Sequence, residues 1–345
     1  MISIKNCASS YLAFRYVIED NEDFCENLKH YNIKNLDNSK KIKINTAEDI
    51  GKAIEKQMEA FKDKRCGILL SGGMDSAIVA SYMNGGDAYT FRFLNGKFQQ
   101  EELQRAEFFA KKYNLTLHYV DINWNTVEQY TDICMKNKCG PVHSIEPQIV
   151  QAALQAKNDG IEIMLIGDGS DYVFGGMDKL LSKDWNFNDF INRYISINPQ
   201  DVLEDPNDIT YIFEQYRLPN NKINFIKFMS EYMTNESYNS YYNAFKTANL
   251  MYFDPYANLI MNKPLDLNRI RNGEPKYLIR ELMSNRYPEI TVPNKNPMPR
   301  PVDFYFENYK GPSNKIFKKN LDMTKFTGNQ KWQLWCLDRF LNKFC

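Results

Sequence analysis

The sequence predicts an α/β fold, a doubly wound parallel sheet with helices on both faces, followed by a mostly helical C-terminal half. Strand-like apolar runs alternate with amphipathic helix-like segments from residue 46 to residue 166. The turn Ser71-Gly72-Gly73 separates the first strand of this series from its helix. The alternation stops after Met177, where Tyr, Phe, Asn and Lys accumulate at helical spacing.

The predicted elements follow in order along the chain. Thr46 is placed to cap a helix whose apolar residues continue at helical spacing to Phe61. The sheet region then comprises a strand at 68–70, a helix opened by Asp75, a strand at 88–93, a helix at 101–113, a strand at 117–122, a helix at 147–156 and a strand at 161–166. Ligands of such sheets bind at the carboxyl ends of the strands, where the strand order reverses. We therefore expect the functional residues in the loops that follow the strands.

Composition excludes several classes of protein. Lys plus Arg and Asp plus Glu each total 43, so the net charge gives no reason to expect nucleic acid or an anionic membrane as partner. No apolar run approaches the roughly 18 residues of a membrane span, and the N-terminus lacks the apolar region of a signal peptide. Seven cysteines without regular spacing predict reduced thiols. We expect a cytoplasmic protein.

The turn at residues 71–76 has the composition of an anion site. Two glycines allow the backbone to approach a ligand, while Ser71, Ser76 and the amides that open the helix supply donors. The lysine-bearing P-loop and the G-x-G-x-x-G fingerprint are both missing from the sequence. The alternative is an ordinary strand-to-helix turn with a capping serine, but a turn needs glycine and not this whole string.

This stretch, Ser71-Gly72-Gly73-Met74-Asp75-Ser76, resembles the S-G-G-x-D-S signature of the PP-loop ATP pyrophosphatases. Those enzymes grip the β,γ-pyrophosphate of ATP and cleave it at the α-phosphate. A carboxylate beside phosphates requires a cation, which predicts Mg²⁺ at Asp75.

A second acidic loop follows the last predicted strand. Residues 166–176, which include Asp168 and Asp171, resemble the S-G-E-G-A-D-E-L-F-G-G element of asparagine synthetase C-terminal domains and their relatives, including β-lactam synthetases and lasso-peptide cyclases. The resemblance implies that Asp171 binds the same Mg²⁺ as Asp75. It also implies that Asp168, a shorter acid than the usual glutamate, deprotonates the attacking nitrogen. The alternative is a calcium-like loop or an Asx-turn loop.

Two later stretches extend the resemblance. Residues 273–280 resemble the G-x-x-K-x-x-L-R segment that precedes the catalytic lysine of this family. In the following loop the resemblance implies that Lys295 neutralises charge on the α-phosphate and the acyl oxyanion. Asn294 also fits the lysine position, and Arg300 is an alternative cation. A solvated loop lysine is the plain alternative for Lys295.

The same resemblance implies the nucleotide site and the reaction. Leu70, Phe93 and Gly167 would line the adenosine pocket. The complete expected ATP-binding set is Leu70, Ser71, Gly72, Gly73, Asp75, Ser76, Phe93 and Gly167. ATP would adenylate a substrate carboxylate with release of pyrophosphate, and a nitrogen nucleophile would then form an amide with release of AMP.

The expected organisation is an N-terminal appendage at 1–45 with β-like pieces such as Tyr11 to Ile18, a PP-loop ATP-binding core at 46–180 and a helical substrate-binding region at 181–345. Since Ile2 follows the initiator methionine and only roughly 60 residues precede the PP-loop, we expect a stand-alone member without the family's glutaminase domain. Free ammonia, ammonia from a separate glutaminase or a substrate amine are all compatible nitrogen sources. Acceptor candidates include a sugar uronate, a specialised metabolite and a peptide carboxylate.

Two other functions stay open. One is a PP-loop ligase or thiolase that modifies tRNA or a nucleobase, which the neutral charge disfavours. The other is an inactive synthetase-like binding scaffold, which the retention of Asp75, Asp168 and Asp171 disfavours. His143, in a loop near the expected acceptor site, is interpreted as a surface histidine rather than a substrate contact.

Overall fold

The structure, a computed structural model, describes residues 1–83, 85–96, 99–292 and 300–345. Its strands are β1 (Ile42–Ile44), β2 (Cys66–Leu69), β3 (Gly86–Phe93), β4 (Leu115–Ile122), β5 (Ile163–Leu165), β6 (Arg217–Leu218), β7 (Lys222–Ile223), β8 (Met251–Phe253) and β9 (Leu259–Met261). Its α-helices are α1 (Ile4–Phe14), α2 (Ala47–Met58), α3 (Met74–Ala80), α4 (Gln100–Lys112), α5 (Trp124–Lys138), α6 (Glu146–Asn158), α7 (Ser170–Val173), α8 (Asp178–Leu181), α9 (Phe187–Tyr194), α10 (Pro199–Val202), α11 (Tyr211–Glu214), α12 (Phe225–Ala248), α13 (Leu267–Arg271), α14 (Tyr277–Arg286), α15 (Val302–Tyr305) and α16 (Gly328–Phe344).

Among the described residues, five strands form a parallel sheet in the order β4-β3-β2-β5-β8. The chain starts at the central strand β2, moves outward through β3 and β4, and then returns to the other side of β2 through β5 and β8. The strand order therefore reverses between β2 and β5. The connections that follow β2 and β5 run to opposite sides of the sheet, which leaves a crevice between the ends of these two strands. Ligands of such sheets bind in this crevice.

Both faces of the sheet are buried. On β2, Ile68 packs into one hydrophobic cluster together with α2, α3 and α4. Its neighbour Leu69 points to the opposite face and packs into another cluster with α5, α6 and α16. Successive side chains of a strand alternate between faces, so this division requires helices on both sides. The predicted doubly wound α/β fold is confirmed.

The N-terminal segment differs from the prediction. Residues 11–18 were predicted to be β-like, whereas α1 covers residues 4–14 and is capped by the hydroxyl of Ser3, which accepts a hydrogen bond from Asn6 N–H. The residues from Cys7 to Phe14 are all buried. A helix that is buried all round has no polar face, so its sequence lacks the amphipathic pattern by which helices are recognised. The division of the chain at residues 45 and 180 stays a prediction.

Several further elements were not predicted, among them helix α5 and strand β8. Helix α5 begins after Asn123, whose side chain accepts from Thr126 N–H in a capping box. Strand β8 lies in the half that was expected to be helical, and it extends the main sheet beside β5. A three-residue strand is too short to show an alternating pattern, which is why its sequence did not reveal it.

The prediction of reduced cysteines is wrong for one pair. A disulfide joins Cys25 to Cys345 across a sequence separation of 320 residues. The thiols of Cys7, Cys66, Cys134, Cys139 and Cys336 are free. None of the helices in the described part of the chain combines the length and apolar character that a membrane span requires.

Candidate active site

A cavity opens at the carboxyl ends of β2, β3 and β5. It is lined by every residue that we assigned to ATP, namely Leu70, Ser71, Gly72, Gly73, Asp75, Ser76, Phe93 and Gly167. Asp168 and Asp171 line it as well. The structure therefore brings the two acidic loops to one cavity, although nearly 100 residues separate them in sequence.

The loop after β2 is held by its own hydroxyl groups. Ser71 N–H donates to Ser76 Oγ over 3.0 Å, and Gly73 N–H donates to Ser71 Oγ over 3.1 Å. A Cβ at Gly72 would lie 2.5 Å from the carbonyl oxygen of Glu102, so glycine is required for the close approach of α4. Arg105 fixes the same point, since its Nε donates to Gly72 O over 2.8 Å. The turn is therefore fixed by contacts within the loop and with α4.

The loops after β2 and β5 are in direct contact. A Cβ at Gly167 would lie 2.9 Å from the carbonyl carbon of Asp75 and 3.0 Å from the amide nitrogen of Ser76. Ser170 Oγ donates to Asp75 Oδ1 over 2.6 Å. Glycine at position 167 allows the two loops to pack against each other, and the hydroxyl of Ser170 aligns the first carboxylate.

Lys276 lies between the two predicted metal ligands. Its Nζ is 2.6 Å from Asp75 Oδ2 and 2.6 Å from Asp171 Oδ1. The Lys276 side chain is only 2% exposed, whereas those of Asp75 and Asp171 are 25% and 30% exposed. Burial by itself lowers the pKa of Lys276, but the attraction of the two carboxylates outweighs it and raises the pKa above its ordinary value. A charged ammonium therefore holds the two acids together.

The donor set fits a Mg²⁺ ion that is shared with a nucleotide. Within the described residues, no group of three His, Cys, Asp or Glu side chains could hold a metal by itself. Mg²⁺ is usually held by one or two carboxylates together with substrate phosphates, not by a complete protein cage. Asp75 and Asp171 supply those carboxylates at the wall of one cavity. Their assignment as metal ligands stays a prediction.

Asp168 is half-buried, and the buried carboxyl of Asp254 is near enough to act on it electrostatically. Asp168 Oδ2 accepts a 2.6 Å hydrogen bond from Ser237 Oγ. Burial, together with the negative charge of Asp254, raises the pKa of Asp168 well above its ordinary value, against the effect of that hydrogen bond. Burial also raises the pKa of Asp254 to about 7, although backbone N–H groups of Gly169, Tyr256 and Ala257 oppose the shift. Asp168 thus binds a proton more tightly than an ordinary aspartate.

His143 is not a surface histidine, contrary to our interpretation. Its side chain is 14% exposed, and its Nε2 lies 3.1 Å from Glu236 Oε1. Arg15 binds the other oxygen of Glu236 over 2.9 Å. Burial raises the pKa of Glu236, but the charge of Arg15 and the hydrogen bond from His143 outweigh it and bring the pKa well below its ordinary value. Burial lowers the pKa of His143 despite Glu236.

Of the two candidate catalytic cations, the structure describes only Arg300. Lys295 lies outside the described residues. The guanidinium of Arg300 is 3.1 Å from His143 Nε2, and Arg300 lines a small cavity beside Trp332 rather than the cavity that contains Asp75.

The part of the chain that contains both acidic loops matches a known family. A model of the asparagine synthase family matches residues 45–259, more than half of the chain. The chain belongs to the asparagine synthase family. Within 130 residues, this family member is 32% identical to the glutamine-hydrolysing asparagine synthetase 2 of Bacillus subtilis (strain 168). The match covers 35% of this chain and 17% of that relative, so the chain spans a small part of the curated protein.

Solved structures give weak likenesses to this asparagine synthase family member. A U34-tRNA thiolase, NcsA from Methanococcus maripaludis with its [4Fe-4S] cluster, gives a TM-score of 0.32 at 11% identity, covering 86% of this chain and 80% of the thiolase. NMN synthetase from Francisella tularensis gives a TM-score of 0.28 at 12% identity, covering 73% and 97% of the two chains. Likenesses this low say nothing about the chemistry of this family member.

Sequence reasoning missed three residues of the site. Lys276 belongs to a segment that we had aligned with the family, but we gave it no role. Asp254 directly follows β8, and the other acidic loops likewise follow strands of the same sheet. An apolar run that ends in an acid, Leu250 to Asp254, was the available signal for it. Arg105 is four residues from Glu101 on an ordinary helix face and gave no signal at all.

Proposed function

We propose that this asparagine synthase family member is an ATP-dependent, amide-forming ligase. One observation carries the proposal: Asp75 and Asp171, from loops after two neighbouring strands, meet through Lys276 at the wall of the cavity that contains the S-G-G-x-D-S loop. A site with paired carboxylates, a buried cation and a glycine cradle suits a polyphosphate with Mg²⁺.

The proposed reaction has two steps. A substrate carboxylate attacks the α-phosphate of ATP, pyrophosphate leaves, and an acyl-adenylate remains. A nitrogen nucleophile then attacks the acyl carbon and AMP leaves. When bound, Mg²⁺ supplies positive charge that offsets the charge of the phosphates. Ser71, Ser76 and the glycine amides orient the leaving pyrophosphate, and the rigid loop contacts described above hold them in place.

Lys276 and Asp168 have different tasks in this proposal. Lys276 remains charged and offsets the two carboxylates, so the site is not strongly repulsive towards a polyphosphate. Asp168 has a raised pKa, the direction required of a carboxylate that accepts a proton from nitrogen. Lys295 is proposed to face the oxyanion, on the basis of the family resemblance alone.

The acceptor, the nitrogen source and the location belong to the same proposal. A small-molecule or peptide carboxylate accepts ammonia or an amine, and a separate glutaminase is a compatible source of ammonia. The cytoplasmic location stays a prediction. The Cys25–Cys345 disulfide argues against that location, because disulfides are rare in cytosolic proteins.

The test is release of pyrophosphate from ATP with a panel of carboxylic acids, with and without Mg²⁺. Asp75→Asn and Asp171→Asn should each abolish release, whereas Asp63→Asn, at an exposed position outside the cavity, should not change it. Wild-type turnover in Asp171→Asn would remove the metal assignment. No release with any acid and any nitrogen donor would favour the inactive scaffold, and salt-sensitive binding of tRNA would favour the nucleic-acid ligase.

A further inference from the structure

Another cavity, of about 410 Å³, adjoins the candidate active site. Its lining comes from the end of α1, the segment 176–180, α9, α12 and Pro275. Small-molecule sites usually measure roughly 300–1,000 Å³, so this cavity can hold a compact metabolite. The ATP-binding residues Ser71, Gly73 and Ser76 line the other cavity and not this one.

The cavity comes close to Asp171 and Lys276 at Gly176 and Pro275. A Cβ at Gly176 would overlap the carboxylate of Asp171 and the side chain of Lys276, so these groups lie directly behind the cavity wall. Pro275 precedes Lys276 in the chain and lines the same wall. Asp171 therefore lines the cavity that contains Ser71–Ser76, and Gly176, which packs against Asp171, lines this second cavity.

The wall combines apolar and cationic side chains. Phe14, Met177, Leu180, Tyr194 and Met233 supply its apolar surface. Its charged residues are Arg15, Lys179 and Arg193, opposed by Asp178 and Glu236.

Outside its ion pairs, the cavity wall carries more cationic side chains than acidic ones. Arg15 is bound to Glu236 over 2.9 Å. In the part of the chain that the structure describes, neither Lys179 nor Arg193 forms an ion pair. Both are exposed, and Asp178 is the remaining acid of the wall. An apolar body with an anionic group at a distance from its reacting end would match this surface.

We propose that this cavity binds the acceptor, and that the acceptor is a carboxylic acid with an apolar middle and a second anionic group, which Lys179 and Arg193 bind. The inference rests on the proposed function in one respect only, namely that the carboxylate nearer to Gly176 is the one that becomes adenylated. The reacting carboxylate lies towards Gly176 and Pro275, and the second anionic group selects the substrate. Arg15, which lines this cavity, lies outside the residues 45–259 that match the family model.

Binding is tested first, without ATP. The probes are linear α,ω-dicarboxylates of roughly five to ten carbons and the monocarboxylates of equal length, a span suited to a cavity of this size. Binding is followed by the rise in melting temperature with ligand concentration. The dicarboxylates should bind the wild type at least about tenfold more tightly than the monocarboxylates, and Arg193→Ala or Lys179→Ala should remove that preference. Lys183→Ala, an exposed lysine of the neighbouring loop outside the cavity, should keep it.

Pyrophosphate release with the same acids separates the two proposals. If dicarboxylates bind with a preference that depends on Arg193 but release no pyrophosphate, the cavity assignment stands and the ligase proposal fails. If monocarboxylates support release as well as dicarboxylates do, in the wild type and in Arg193→Ala alike, the ligase proposal stands and the cavity assignment is overturned. Equal binding of the two series by the wild type also overturns it.

Discussion

The backbone N–H of Gly169 donates a 2.6 Å hydrogen bond to Oδ2 of Asp254. This bond ties the acidic loop after β5 to the end of β8. Oδ1 of Asp254 accepts from Tyr256 N–H over 3.0 Å, and the Tyr256 hydroxyl donates to the carbonyl oxygen of Asp75, also over 3.0 Å. Asp254 thus positions both loops from which the candidate site is built, without lining the cavity that contains Ser71–Ser76.

Asp254 should make the stability of the protein depend on pH. Its pKa is raised from 3.8 to about 7 in the folded state. A carboxyl group of this kind stabilises the fold most below its unfolded pKa, and that stabilisation is lost as the pH rises through the folded pKa. The free energy of unfolding should fall by on the order of 2 kcal/mol more in the wild type than in Asp254→Asn between pH 5 and pH 7.5. Urea denaturation at both pH values measures it.

Asp63→Asn is the control for this experiment, because Asp63 is exposed. It should show the pH dependence of the wild type. An Asp254→Asn protein with an unchanged pH dependence would show that Asp254 does not titrate in this range.

The two glycines of the Ser71–Ser76 loop should tolerate alanine differently. A Cβ at Gly72 would lie 2.5 Å from Glu102 O and 2.8 Å from Glu102 Cα. These are backbone atoms, and moving them to relieve the overlap costs stability. At Gly73 the nearest atom is Ser71 Oγ at 3.1 Å, on a side chain that can rotate. Gly72→Ala should lose about 1–3 kcal/mol of stability and Gly73→Ala less than about 1 kcal/mol. Equal losses in thermal or urea unfolding would contradict the packing of α4 on this loop.

Removing Lys276 should destabilise the free protein through repulsion of its two partners. The lysine is buried, but both aspartates keep a quarter or more of their side-chain surface exposed, so we expect Lys276→Met to cost about 1–3 kcal/mol rather than the larger loss of a fully buried pair. The double variant Asp171→Asn, Lys276→Met should lose less than the sum of the single losses. Unfolding free energies of the four proteins form the double-mutant cycle, and simple additivity would count against the contact.

Lys295 and Arg300 should differ in their effect on the reaction. Lys295→Ala should leave the Kd for ATP within roughly threefold and slow pyrophosphate release by about 100-fold or more, because the resemblance assigns it to charge that develops during the reaction. Arg300 lies at His143 and outside the nucleotide cavity, so Arg300→Ala should slow pyrophosphate release by less than about tenfold. The reverse order of effects in single-turnover assays would exchange the two assignments.

The candidate site was largely predictable because its residues follow buried strands directly. The strings at 71–76 and 167–171 place their acids at fixed offsets from a strand end, and strand ends of a parallel sheet share one edge. His143 could not be placed in this way. Its environment is made by Arg15 and Glu236, which are more than 90 residues away on either side and carry no local pattern.

The sequence by itself determined the parallel sheet, its two buried faces and the two acidic loops, because strand and helix periodicities and glycine turns are local properties of the chain. Only the tertiary structure decided that α1 is a buried helix, that β8 completes the sheet, and that Lys276 lies between Asp75 and Asp171. These features depend on contacts between residues far apart in the sequence. A buried charge between two others is recognised by distance, and the order of residues along the chain does not contain that distance.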